Sequence, residues 1–362
     1  MCAQERAGAF GATPARRWDD GDREGWEYEN PFDALPDSLA PLLGPELQAE
    51  FAAWPQAVSL CAGALYGDLA TAAECRILTA ATNDALALVR HVDHFDGRSA
   101  AHAARALFEH LVNMLDVHTS PVNTAARYED HEHVTADQVS RRRWHLRLLS
   151  KRARKRESDR LDKLQKRAAG PLARAVEAYG SSFKRGWAHG TLRARADAHD
   201  LGEGYGGYQI LSGVIHGSSG ALSGVVRQVR GENVHRVGYD LELAATAYAE
   251  GLVSFYNLAE HLVTLTGRVE AEEIRGRTGN LLLGLDEVRD TLRKADAKLW
   301  PTTPVPGPMA VVALYPSGAR RWYLHDPRDE SIVVAEPPED EPDLSVAEEK
   351  LATYDPDRKS VV

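Results

Sequence analysis

Residues 101–112 read Ala-His-Ala-Ala-Arg-Ala-Leu-Phe-Glu-His-Leu-Val. Ala101, Ala104, Leu107, Phe108, Leu111 and Val112 recur at the three- and four-residue spacing of one helical face. Between them stand Arg105 and Glu109, four positions apart and therefore side by side on the helix. A helix that is largely apolar yet carries an ion pair must compensate that pair, because each buried ion costs several kcal/mol. This stretch predicts a packed helical bundle with a polar centre inside it.

A second stretch points to the same centre. Tyr205-Gly-Gly-Tyr208-Gln-Ile-Leu-Ser212-Gly-Val-Ile-His216-Gly-Ser-Ser places Tyr208, Ser212 and His216 on one stripe if it is helical. Ser212 and His216 have the separation of a hydroxyl–imidazole hydrogen bond. A serine nucleophile would also need an orienting acid and an oxyanion hole, and no GxSxG elbow surrounds Ser212. The expected centre therefore has Tyr208, Ser212 and His216 as one wall and Arg105, Glu109 and Arg127 as the other.

Working outward, helical periodicity covers Pro41–Trp54, Gln56–His91 and a helix from the Gly97-Arg-Ser99 turn to about His118, broken at Ser120-Pro121. A shorter helix is expected over Val122–His133. A long basic helix is expected from Ala136 to Ala168, with a break at Gly170-Pro171 and a further helix to Tyr179. Thr191–Asp200, Leu241–Gly267 and Glu270–Trp300 complete the helical set. After the breaker run 301–308 the texture changes. Met309–Tyr315, Arg321–His325 and Ser331–Ala335 read as three short strands of an antiparallel meander.

The fold class expected is mainly α: a helical bundle with a small C-terminal antiparallel β appendage and disordered acidic ends. The divisions are an acidic arm over 1–35, a helical domain over 36–300 that includes the basic helix 136–168, a β meander over 301–336, and an acidic tail over 337–362 with a short helix in it.

Charge is unevenly spread. The chain carries −10 overall, yet between Arg141 and Arg167 there are 13 Lys/Arg against Glu157, Asp159 and Asp162. Arg141, Arg142, Arg143, Arg147, Lys151 and Arg152 would form a broad positive surface, a candidate for RNA phosphates. The competing reading is a solvated helix neutralised by the protein's own acids.

Three cysteines, Cys2, Cys61 and Cys75, show neither CxxC pairing nor ligand spacing, which favours a reducing compartment. No secretory signal and no membrane span are read, so a cytoplasmic protein is expected. The histidine groups Asp130-His131-Glu132-His133 and His91-Val-Asp-His94 lack HExxH spacing, and Gly202-Glu-Gly204-Tyr-Gly206-Gly207 follows no strand. Neither a metal nor a cofactor is expected.

The order Arg105-x-x-x-Glu109, Arg127-Tyr128-x-Asp130, Trp187 and Tyr208-x-x-x-Ser212-x-x-x-His216-Gly-Ser resembles a bacterial helical family known only as domain of unknown function five-six-seven-seven, over about residues 75–262. The resemblance implies an all-α domain in which these residues converge on one interior polar site, and it carries no reaction. Arg105-x4-His110 is also similar to the Arg-x4–6-His signature of HEPN ribonucleases. That similarity implies metal-independent RNA cleavage or RNA binding in bacterial stress or phage defence, by a homodimer, with Arg105, His110 and His216 catalytic. Arg105 and His110 are about 140° apart around a helix, so one site could hold both only by wrapping it. The alternative is a non-enzymatic interaction module whose polar centre is structural.

Overall fold

The computed structural model describes residues 35–215, 226–229, 232–235, 239–300, 309–314, 320–326 and 331–335. The acidic arm up to residue 34, the whole tail over 337–362 with its expected short helix, and His216 lie outside the described residues. Two compact units divide at Trp300, and each is described by itself.

The helical unit contains α1 (Pro45–Leu65), α2 (Ala72–Asp93), α3 (Gly97–Thr119), α4 (Ala126–Arg141), α5 (Lys151–Tyr179), α6 (Leu192–Ala198) and α7 (Gly202–Ile215). After a short antiparallel hairpin, β1 (Val226–Val229) and β2 (Glu232–His235), come α8 (Leu241–Thr266), α9 (Val269–Leu283) and α10 (Leu285–Leu299). The hairpin has no counterpart in the sequence reading. In the second unit β3 (Met309–Leu314), β4 (Arg320–Asp326) and β5 (Ser331–Ala335) form an antiparallel meander, with Val312 opposite Trp322 and Leu324 opposite Val333. The chain is therefore mainly α with a small β appendage.

Local chemistry sets the helix ends. Thr71 and Glu74 form a reciprocal capping box at the start of α2. Asp96, one residue before the expected turn, caps α3 by accepting from the Ser99 amide at 2.9 Å. Asp240 caps α8 through the Leu243 amide, and Gly267, in the left-handed region, ends it.

The core forms around α3, which lies between α2 and α8. Ala100, Ala101, Ala103 and Ala104 of α3 and Ala244 and Ala247 of α8 are buried. These small side chains let the two helices run close and parallel, with Gly97 beside Asp240 and Gly251 beside Ala104. A Cβ on Gly251 would sit 2.4 Å from Leu88 and 2.9 Å from the Ala104 Cβ, so only glycine fits there. α7 returns antiparallel to α3 with Gly204 against Phe108.

Three helix expectations are corrected. The basic helix does not run from 136 to 168: the chain turns at 142–150, through a 3-10 helix (Trp144–Leu148), and α4 and α5 form an antiparallel helical hairpin. Arg143 ties the turn to α5 by donating to Asp162 at 2.5 Å and Ser158 at 3.3 Å. α5 then continues through Gly170-Pro171. The missing Pro171 amide costs the helix a bond, but Ala168, Leu172 and Ala175 are buried on one side of it, Leu172 and Ala175 with Val134 and Phe183, and that packing holds the helix together. α1 likewise runs through Pro55, where the sequence spacing set residues 41–54 and 56–91 apart.

Candidate functional site: two polar clusters on one helix

α3 presents polar side chains to three different neighbours. Towards α7, the Arg105 guanidinium pairs with Glu109 at 2.7 Å and donates to the Tyr208 hydroxyl at 3.0 Å. The Tyr208 hydroxyl donates in turn to Glu109 at 3.1 Å, closing a triangle. Arg105 also lies 5.2 Å over the Tyr208 ring, which stacks with Tyr205 and packs on Phe108. Burial works against the Arg105 charge, but Tyr208 and Glu109 outweigh it and hold its pKa above the ordinary value. The Arg105 Nε is buried with no hydrogen-bond partner among the described residues.

Towards α2, His110 meets Asp84 at 2.8 Å. Arg105 and His110 thus turn to different helices, and the fold does not bring them to one reacting point. Ser212 is half-buried on α7. The third member of its stripe, His216, lies outside the described residues.

One helical turn or more further along α3 is a cluster that the motif reading missed. Asp116 accepts from Arg195 Nε at 2.5 Å and meets His199 Nε2 at 2.7 Å, while Arg195 Nη2 donates to Asn113 at 2.6 Å. Arg195 also stacks 4.9 Å over Trp187. The Arg195, His199 and Asp116 side chains are only 13%, 16% and 18% exposed, so this is a nearly buried, paired network. Its signal was two short spacings: acceptors Asn113 and Asp116 three apart, donors Arg195 and His199 four apart. Nearby, His118 and His261 rings meet edge to face at 4.9 Å, and burial lowers the His261 pKa.

Arg127 sits away from Arg105. It is buried, donates from Nε to the Trp187 carbonyl, and is held 5.1 Å from the Tyr179 ring and 5.3 Å from the Phe183 ring. Tyr128 packs edge-on against Trp187 at 4.9 Å, and burial raises its pKa. Tyr179 donates to Asp130 at 2.9 Å. Arg127, Tyr128, Asp130 and Trp187 therefore lock the base of the α4–α5 hairpin, and the single centre expected from the sequence divides into the Arg105 triangle and this clamp.

The hairpin itself projects a different chemistry. Arg141 pairs with Asp137, Arg143 with Asp162, and Arg160 and His145 with Glu157. Arg142, Arg147, Lys151 and Arg152 are exposed and make no ion pair among the described residues. Trp144 and Leu148, on the turn between them, are 71% and 78% exposed.

Among the described residues no three His, Cys, Asp or Glu side chains are arranged to hold a metal ion, and no helix is long and apolar enough to cross a membrane. Residues 75–233 match the family described as Family of unknown function (DUF5677). The match ends within the β1–β2 hairpin, short of the residue 262 expected from the motif order. No curated protein and no solved structure matches the chain.

Proposed function

We propose, for a chain whose residues 75–233 match a family of unknown function, that it is an RNA-binding protein that grips the phosphate backbone with the distal half of the α4–α5 hairpin. The observation that carries this reading is the set of exposed cations without an ion pair among the described residues, Arg142, Arg147, Lys151 and Arg152, spread over the hairpin turn and the start of α5 in a chain that is acidic overall. An acidic protein repels a polyanion in general, so a local positive surface decides where and how a polyanion docks. Arg141 and Arg160 are taken up by Asp137 and Glu157 of their own helices and Arg143 ties the turn to Asp162, whereas Arg142, Arg147, Lys151 and Arg152 have no ion pair among the described residues and stay open to a ligand.

The Arg105 triangle and the Asp116 network are read as structural: each joins α3 to α6 or α7, and each charge in them has an opposite partner. RNA cleavage by Arg105 with His110 is not favoured, because Asp84 engages the imidazole on the far side of the helix from Tyr208.

The test is fluorescence anisotropy of a short labelled RNA with the full chain. The combined variant R142Q/R147Q/K151Q/R152Q should bind at least about tenfold more weakly, since most of the affinity comes from phosphate contacts. R105A should change affinity by less than about twofold on the same ground. Equal binding by the combined variant and the wild type would contradict the proposal.

A further inference from the structure

We infer that the Trp144–Arg147 face of the hairpin turn is a docking point for unpaired RNA bases, the indole stacking on a base and the guanidinium meeting an adjoining phosphate. This rests on the reading of the hairpin as the RNA-binding element and names the form of RNA it takes.

The turn is a 3-10 helix, Trp144–Leu148. Side chains three apart eclipse in such a helix, with a rise of about 2 Å per residue. Trp144 and Arg147 therefore stand on one face, about 6 Å apart along the axis. Their neighbours are tied the other way. Arg143 is bound to Asp162 and Ser158, His145 Nε2 lies 3.6 Å from Glu157, and Arg154 Nη2 donates to the carbonyls of Arg147 at 3.3 Å and Leu149 at 3.2 Å. The residues on either side of Trp144 are anchored to α5, while Trp144 itself stays 71% exposed, with the His145 ring edge-on at 6.2 Å as its one ring contact among the described residues. A turn fixed by five such contacts holds a large apolar ring in water without collapsing over it.

The surroundings select the ligand. The centre of a protein–protein interface is depleted of charge, whereas this ring stands on a turn that also carries the exposed Arg142 and Arg147 and leads directly into the exposed Lys151 and Arg152 at the start of α5. Aromatic plates between cations are the arrangement that single-stranded nucleic acid uses, because every base has a face to stack and every residue a phosphate. A duplex keeps its base faces covered, so a rigid outward indole gains nothing from it except at ends. Leu148, 78% exposed on the same turn, adds apolar contact for a splayed base.

The experiment compares wild type, W144A and W144F, all as the full chain, against three probes: a labelled oligouridylate, a blunt RNA duplex of equal length, and vesicles of phosphatidylcholine with phosphatidylserine. Trp144 buries little, so thermal unfolding should be unchanged across the three proteins. W144A should weaken oligouridylate binding about tenfold and duplex binding by less than about twofold, with W144F in between. RNA binding that depends on the cations yet ignores Trp144 would overturn this inference and leave the hairpin reading standing. Failure of the wild type to bind either RNA would overturn both. Trp144-dependent binding to the anionic vesicles but not to RNA would also overturn both, and would assign the turn to a membrane surface.

Discussion

Arg105 and His110 lie five residues apart on α3 and are claimed by different helices, Arg105 by Tyr208 of α7 at 3.0 Å and His110 by Asp84 of α2 at 2.8 Å. The divergence makes α3 a strut between two layers rather than one wall of a reacting cleft. Tyr208→Phe removes the hydroxyl shared by Arg105 and Glu109 and should cost about 1 kcal/mol in urea denaturation. RNA affinity should stay at the wild-type value, and a larger loss of binding than of stability would return this triangle to the functional site.

Asp116 engages two side chains at once, the Arg195 guanidinium and the His199 ring, in a nearly buried setting. Asp116→Ala would leave the guanidinium without its carboxylate and should cost about 3 kcal/mol or more, because an uncompensated buried charge is worse than no charge. Chemical denaturation of D116A measures it directly. A loss under about 1 kcal/mol would mean that solvent reaches the pair and screens it.

The pH dependence has a worked sign. Burial lowers the pKa of His261 and of His131, so the folded state holds both rings neutral where the unfolded chain would protonate them. Their contribution is complete above the unfolded value of about 6.5 and is lost as the pH falls below it. Asp240 and Glu250, raised by burial, act in the opposite sense: the folded state takes up their protons first, which favours folding as the pH falls through their folded values. The clean measurement is therefore the difference between wild type and H261Q in unfolding free energy. That difference should shift in favour of H261Q as the pH falls from about 7 towards 5. A difference independent of pH would contradict it.

Gly251 of α8 packs against both α2 and α3: a Cβ there would lie 2.4 Å from Leu88 and 2.9 Å from the Ala104 Cβ. Gly251→Ala should destabilise by about 1–3 kcal/mol through overpacking, despite the better helix propensity of alanine. Thermal unfolding of the variant tests this. A stabilised G251A would show that the two helices can separate at little cost.

Much of this architecture was legible. The spacing of Ala101, Ala104, Leu107, Phe108 and Leu111 predicts a buried helix, and all five are buried on α3. The breaker run after Trp300 and the β-branched runs beyond it predict β3 to β5, which pair as a meander. What was not legible depends on contacts distant in sequence. The hairpin turn at 142–150 holds neither glycine nor proline, and what fixes it is Arg143 reaching Asp162. Pro55 and Pro171 read as breakers, yet tertiary packing carries both helices through them. Asp116 and Arg195 stand 79 residues apart, so no local motif could pair them.

The most direct test of the central claim is the salt dependence of RNA affinity in the wild type and in R142Q/R147Q/K151Q/R152Q. For single strands log K falls with log salt by about 0.7 for each phosphate neutralised. If the hairpin cations make those contacts, the wild-type slope should be steeper than the variant's by about 2 to 3. Identical slopes would place the phosphate contacts elsewhere on the chain and contradict the account.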